Sequence, residues 1–161
     1  KTNFVDGIKF AQNEIDGTTS ILILREGGSI IDGKNQLNAE IDCWVKLAEK
    51  PEADMLCPIL KYFTSKSDKV SKTSHTMRRN VIIIAQKAVF VGAASEACKE
   101  AERLNAEGGY IGENANIRYE KLKKLSSDMG WWDAMHNGGN SGVIFDYAKG
   151  CYKAVFIDYA L

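Results

Sequence analysis

Apolar and polar positions along the chain switch between two periods, and the switches mark out its elements. Thr18-Thr19-Ser20-Ile21-Leu22-Ile23-Leu24-Arg25 is β-branched and apolar, which predicts a strand buried on both faces. It follows the turn signal Asp16-Gly17 and a weakly patterned stretch from Phe4 to Ile15. Gly27-Gly28 and Asp32-Gly33 then break the chain on either side of Ser29-Ile30-Ile31. Beyond them the period becomes helical: Leu37, Ile41, Trp44, Val45 and Ala48 recur on one side, with Glu40, Asp42, Lys46 and Glu49 at polar positions. That helix ends before Pro51. Ile59-Leu60-Lys61-Tyr62-Phe63 and Val81-Ile82-Ile83-Ile84-Ala85 predict two more strands, the second fading through Gln86-Lys87-Ala88. Between them Thr64 to Arg79 is rich in Ser, Thr and Lys without an apolar period, and reads as a solvated loop.

The second half begins helically. Ala93 to Ala106 has helical propensity with Ala97, Ala101 and Leu104 along one side, and Gly108-Gly109 stops it. A further helix spans about Ala115 to Met129, with Ile117, Leu122 and Leu125 apolar and lysines 121, 123 and 124 on a solvated face, and ends at Gly130. The stretch from Trp131 to Gly142 is dense in polar and small residues and reads as a shaped loop. Val143-Ile144-Phe145 and Tyr152 to Ile157 flank Lys149-Gly150, a hairpin whose second strand delivers Asp158 at its end. Strands with one helix, then helices, a loop and a late hairpin make an α+β order.

Size and charge narrow the functions this order can serve. A chain of 161 residues, 45% of them apolar, buries roughly 70% of its unfolded surface, enough for a core without disulfide or metal staples. A single domain over residues 1–161 is expected, sheet-rich to about residue 90. Twenty-one basic groups balance 21 acidic ones, so no overall field gathers nucleic acid or anionic lipid. Lys66, Lys69, Lys72, Arg78 and Arg79 make the 64–79 loop locally basic, but no aromatics interleave with them. The apolar runs fall far short of the roughly 20 residues of a membrane span, and Lys1-Thr2-Asn3-Phe4 carries no apolar leader. Cys43, Cys57, Cys98 and Cys151 form no C-x-x-C pair, and His75 and His136 are the only histidines. Free thiols in a reducing cytoplasm are expected, and no zinc site.

Phosphoryl transfer needs a cation on the phosphates, an amide and a carboxylate on the metal, and a carboxylate near the acceptor hydroxyl. The sequence carries such groups in order. Arg25 ends the first strong strand, Glu40 lies on the next helix, Asn140 sits in the polar loop and Asp158 follows an apolar strand. A hairpin between the last two can bring both oxygen ligands onto one Mg²⁺.

On these residues the chain resembles the protein-kinase-like fold, in particular the small divergent kinases encoded by bacteriophages and related small-molecule phosphotransferases. Thr19 to Arg25 looks like the strand that ends in the phosphate-binding lysine, and Gln36 to Leu47 like the helix whose glutamate pairs with it. Val81 to Ala88 is similar to the strand leading into the hinge that holds adenine. Gly130 to Val143, with Asp133, His136 and Asn140, resembles the catalytic loop in its D-x-H-x-G-N-x-G form, and Ile157-Asp158-Tyr159-Ala160 stands where Asp-Phe-Gly or Asp-Tyr-Gly would be. The resemblance implies a minimal kinase-like fold: an antiparallel N-terminal sheet with one helix, a short helical part and a late hairpin. It also implies ATP and Mg²⁺, with Asn140 and Asp158 on the metal, Arg25 and Glu40 setting the phosphates, Asp133 orienting the acceptor and backbone near Gln86 and Ala88 meeting adenine.

The departures are equally specific. No G-x-G-x-x-G precedes the first strong strand, and the lysine position falls at Ile23 or Arg25, where the planar guanidinium demands another geometry. Asp133 lies seven residues before Asn140, where the usual spacing of five falls on Met135. No activation segment or large helical lobe is expected in the three residues after Asp158. Two functions therefore stand side by side: a kinase acting on a hydroxyl, and a catalytically inactive pseudokinase that binds or inhibits a host or virion protein.

Overall fold

The computed structural model describes residues 8–10, 22–26, 30–31, 34–63 and 82–159, with side chains over 36–62, 83–131 and 133–159. In chain order the elements are β1 (Ile8–Phe10), β2 (Leu22–Glu26), β3 (Ile30–Ile31), β4 (Lys34–Asn35), α1 (Gln36–Leu47), a 3₁₀ helix (Pro51–Met55), β5 (Ile59–Phe63), β6 (Ile82–Gln86), β7 (Phe90–Gly92), α2 (Ala94–Gly108), α3 (Ala115–Met129), α4 (Trp132–His136), β8 (Ser141–Asp146) and β9 (Cys151–Phe156). This is an α+β protein whose sheets are antiparallel. The chain divides into two compact units, one of residues 1–46 and 58–87, the other of residues 47–57 and 88–161. The 64–79 loop lies outside the described residues. Among the described residues no helix is long and apolar enough to cross a membrane.

The first unit holds a four-stranded sheet in the order β1-β2-β6-β5. β2 is paired along both edges, Arg25 with Ile8 and with Ile83; the expected burial of both its faces lies outside the described residues. On β6, Ile83 and Ala85 are buried while Ile84 and Gln86 are half-buried, the alternation of a sheet with one core face. On α1, Leu37, Ile41 and Leu47 are buried and Val45 is exposed. The expected stripe was set too far round: at 100° per residue Val45 lies roughly 120° from the centre of the 37-40-44-47 line. Glu40 lies on that line and is 1% exposed, although its charge reads as a polar face in sequence.

The second unit is built on the sheet β7-β8-β9. β8 and β9 pair along their full length, Ser141 with Phe156 through Asp146 with Cys151. The turn closes with Gly150 N–H on Asp146 O (2.7 Å), while the Asp146 carboxylate accepts Ala148 and Lys149 N–H. Val143, Ala154, Val155, Phe156, Leu122 and Leu56 are fully buried here, each large apolar side chain contributing about 1.5–3 kcal/mol by leaving water. Gly109 and Gly130 adopt the left-handed conformation after α2 and α3, where a Cβ is unfavourable and a helix readily ends.

The outer edge of β9 is sealed from within the unit. Asn105 on α2 donates Nδ2–H to Tyr152 O (2.9 Å) and accepts Tyr152 N–H on Oδ1 (2.7 Å), standing in for a neighbouring strand. Arg118 Nε–H donates to Ala154 O (2.8 Å), and Cys57 N–H to Phe156 O (2.8 Å). An open strand edge invites pairing with other chains, and covering it fixes where the strand ends. Three features differ from the sequence reading. The 131–142 stretch contains the short helix α4, β7 goes unannounced because three residues carry no period, and Ile117 is exposed while its neighbour Arg118 is buried.

Candidate functional site

The residues with the strongest chemical case lie where β8 begins and β9 ends. Gly130 turns the chain out of α3, with Trp131 N–H on Ser126 O (2.8 Å), and drops the Trp131 ring into the core. There it meets Phe156 edge-on (centroids 6.1 Å apart) and Tyr159 at a tilt (5.7 Å). One indole thus anchors both the start of α4 and the segment after β9, the two places that carry Asp133 and Asp158.

Asn140 joins them. Its Nδ2–H donates to Asp133 O (3.0 Å), which also accepts Asn137 N–H (3.0 Å). Its own carbonyl accepts Ile157 N–H (3.0 Å) and Asp158 N–H (3.4 Å). Asp133, Asn140 and Asp158 are therefore tied at one hairpin end, Asn140 to Asp133 from side chain to backbone and Asp158 to Asn140 backbone to backbone. With the amide nitrogen held by Asp133 O, the Asn140 carboxamide keeps Oδ1 as an oxygen donor beside the residue that carries the Asp158 carboxylate. Asp133 and His136 are exposed, and Asn140 and Asp158 half-buried.

The other expected site residues lie apart from this group. Glu40 is buried in the first unit, where an ionised carboxylate requires a cation or several donors. Arg25 is the fourth residue of β2; its side chain, and with it the expected Arg25 to Glu40 pair, lies outside the described residues. The Gln86 backbone N–H donates to Pro58 O (3.3 Å). Ala88, half-buried, opens the longer stretch of the second unit.

An ion-pair cluster not read from the sequence braces the hairpin. Arg118, 5% exposed at its side chain, bonds the Asp54 carboxylate (2.6 Å) and the Asp54 carbonyl (2.7 Å), besides Ala154 O. Lys149 and Lys153 reach the other oxygen of Asp54, both at 3.0 Å, and Lys153 also pairs with Asp146 (3.0 Å). Burial at Asp54 opposes the charged form, but the hydrogen bond and charge of Arg118, with Lys153 and Lys149, outweigh it and hold the carboxyl well below the usual range. Burial likewise opposes ionisation of Asp146, and the Lys149 and Ala148 N–H groups with Lys153 lower it on balance. The signal for this cluster is tertiary: in sequence Arg118 is one cation on a lysine-rich helix.

Thiol chemistry is disfavoured here. All four cysteines are free, and burial pushes Cys43 and Cys98 up to about 11, so neither supplies a thiolate near neutrality. Among the described residues no three His, Cys, Asp or Glu side chains gather as a metal-binding group; the residues at the hairpin end carry one amide, Asn140, and two carboxylates, Asp133 and Asp158. Comparison with protein-family models, curated proteins and solved structures finds no match to the chain.

Proposed function

We propose that the chain is a kinase-like nucleotide-binding protein that transfers the γ-phosphoryl group of ATP to a hydroxyl acceptor with Mg²⁺. The observation that carries this reading is the bonding of Asn140 to Asp133 through its side chain and to Ile157 and Asp158 through its carbonyl. It brings the backbone of Asp133, Asn140 and Asp158 to one hairpin end, which supports reading their side chains as the base, amide oxygen and carboxylate that phosphoryl transfer uses.

Hard oxygen donors suit Mg²⁺, which takes one or two carboxylates from protein and completes its shell with phosphate and water. Asn140 Oδ1 and the Asp158 carboxylate fit that demand. When bound there, the ion neutralises charge on the phosphate oxygens. Asp133, exposed and free to face an acceptor, orients the hydroxyl and takes its proton as the new P–O bond forms and the bond from γ-phosphorus to the β-phosphate bridge breaks. The resemblance assigns the phosphate-binding cation to Arg25 and its orientation to Glu40, which is buried in the first unit. The resemblance assigns adenine to backbone near Gln86 and Ala88, and the Gln86 N–H is already bonded to Pro58 O.

The test is a thermal-shift titration of the whole chain with ATP and Mg²⁺, separately and together. A ligand at 100 times its Kd stabilises the native state by about 2.7 kcal/mol, or a few degrees for a domain of this size. A Mg²⁺-dependent rise that disappears in Asp158→Ala, whose apo stability stays near wild type, supports the reading. No shift at saturating nucleotide refutes it. A nucleotide shift without phosphate transfer to any hydroxyl acceptor selects the pseudokinase form, in which the fold serves a partner protein.

A further inference from the structure

In the second unit α2 packs against all three strands of the sheet, and the core it helps to form holds one polar side chain with no evident purpose. Ser141, the first residue of β8, is 0% exposed, and among the described residues its Oγ has no hydrogen-bond partner. It pairs with Phe156 of β9 on one side and with Gly92 of β7 on the other. Paired residues of an antiparallel sheet put their side chains on the same face. On the Phe156 side the hydroxyl meets only a ring. On the Gly92 side it meets polar groups: a Cβ built on Gly92 would lie 2.8 Å from Glu96 Oε2 and 2.9 Å from the Phe90 ring, so the Glu96 carboxylate, from the first turn of α2, folds back over the bare position beside Ser141. The same turn begins without a side-chain cap, since Ala93 brings no oxygen to it, and the first N–H groups of a helix have no partner inside the helix.

We propose that one internal water binds at this junction, bridging Ser141 Oγ to the Glu96 carboxylate and the start of α2. The first argument is the state of the hydroxyl. Buried hydroxyls are bonded either to protein or to ordered water, and an internal water makes about three hydrogen bonds to groups that would otherwise go without. Here an acceptor, a helix end rich in donors and a hydroxyl able to do either gather around one strand pair. The second argument is distance. Cβ positions of paired residues lie about 4.5–5.5 Å apart, which is the span of one water making two hydrogen bonds of about 2.8 Å.

The third argument selects water over an ion. The positive end of α2 disfavours a cation, while the Glu96 carboxylate repels the anion that a helix start would otherwise attract. A small neutral molecule that both donates and accepts is left. Size agrees, because Ser141 and Ala94, the first residue of α2, are both 0% exposed, which shuts out anything much larger. The site stands independently of the phosphoryl-transfer reading. Ser141 nevertheless follows Asn140 directly, so the bridge pins the first turn of α2 to the strand that begins beside the candidate site.

A high-resolution crystal structure of the full chain tests this directly: one ordered oxygen is expected within about 2.6–3.2 Å of both Ser141 Oγ and a Glu96 carboxylate oxygen. Ser141→Ala, followed by thermal unfolding, adds a sign. Removing a hydroxyl that has no partner relieves a buried polar group and raises the melting midpoint, whereas removing one that holds the water takes a hydrogen bond from the bridge and lowers the midpoint by about 2–4 °C. Glu96→Ala removes the far end of the same bridge, so the double variant is expected to lose less than the two single losses added together. The ordered oxygen with a lowered midpoint and non-additive losses sustains the proposal. A midpoint that rises or holds in Ser141→Ala, losses that simply add, a direct bond from Ser141 Oγ to another protein atom, or no ordered oxygen between the two side chains each overturns it, and the crystal structure decides the matter even if a variant fails to fold.

Discussion

Replacing Asn105 with alanine tests whether one buried amide really closes the edge of β9. Asn105 is 5% exposed, and both of its amide atoms are spent on the backbone of Tyr152, at 2.9 and 2.7 Å. Alanine leaves the Tyr152 N–H and carbonyl without partners, at about 1–3 kcal/mol for each buried group. The site is part-buried, so water recovers some of this, and alanine gains about 0.5 kcal/mol in helix propensity. A net loss of about 2–3 kcal/mol follows, against a total stability of order 5–15 kcal/mol. At about 2–4 °C per kcal/mol the midpoint falls by roughly 5–10 °C.

Urea unfolding followed by circular dichroism measures the loss, and Asn105→Asp adds a sign. Aspartate still accepts the Tyr152 N–H, but its second oxygen faces the Tyr152 carbonyl. The folded state then favours the protonated acid, whose O–H can donate. Its folded pKa lies above the unfolded value, so its stabilising contribution is present at low pH and lost as pH rises. The gap to wild type must therefore narrow on acidification. An alanine variant within about 0.5 kcal/mol of wild type, or an aspartate variant whose gap ignores pH, would refute the edge-sealing role.

Two further outcomes follow from the same unit. Asp54 titrates below its unfolded value, so its pairing with Arg118, Lys149 and Lys153 stabilises the fold above about pH 4 and is lost as pH falls through the folded value. Asp54→Asn should be less stable than wild type by about 2–4 kcal/mol at neutral pH, because it removes the nearer counter-charge of buried Arg118 and leaves only Glu113 at 3.7 Å; denaturation across pH 2–7 should show that difference shrinking in acid. Gly142→Ala places a Cβ 2.7 Å from Phe90 O and 3.0 Å from Ala88 Cβ. It should cost about 1–3 kcal/mol by prising β7 from β8, read as faster amide exchange at Val89, whose N–H bonds Val143 O.

The residue order alone determined most elements, because their signals are local. α1 runs over Gln36–Leu47, β5 over Ile59–Phe63 and α3 over Ala115–Met129, with Gly130 as its stop, all legible from periodicity, proline and glycine. The hairpin that ends at Asp158 was legible too, since Lys149-Gly150 separates two apolar runs, Val143 to Phe145 and Tyr152 to Ile157. Asp133, Asn140 and Asp158 were readable as candidates by residue type and order, but only the hydrogen bonds of Asn140 bring them to one place.

Tertiary structure decided which polar groups go inside. Glu40, Asn105 and Arg118 are all nearly excluded from water, although Glu40 reads as a polar-face position and nothing in the pattern singles out the other two. Their burial depends on partners far along the chain: Asn105 on Tyr152, and Arg118 on Asp54 and Ala154. A buried polar group is tolerated only where such a partner waits, and a one-dimensional pattern of apolar and polar positions carries no record of who that partner is.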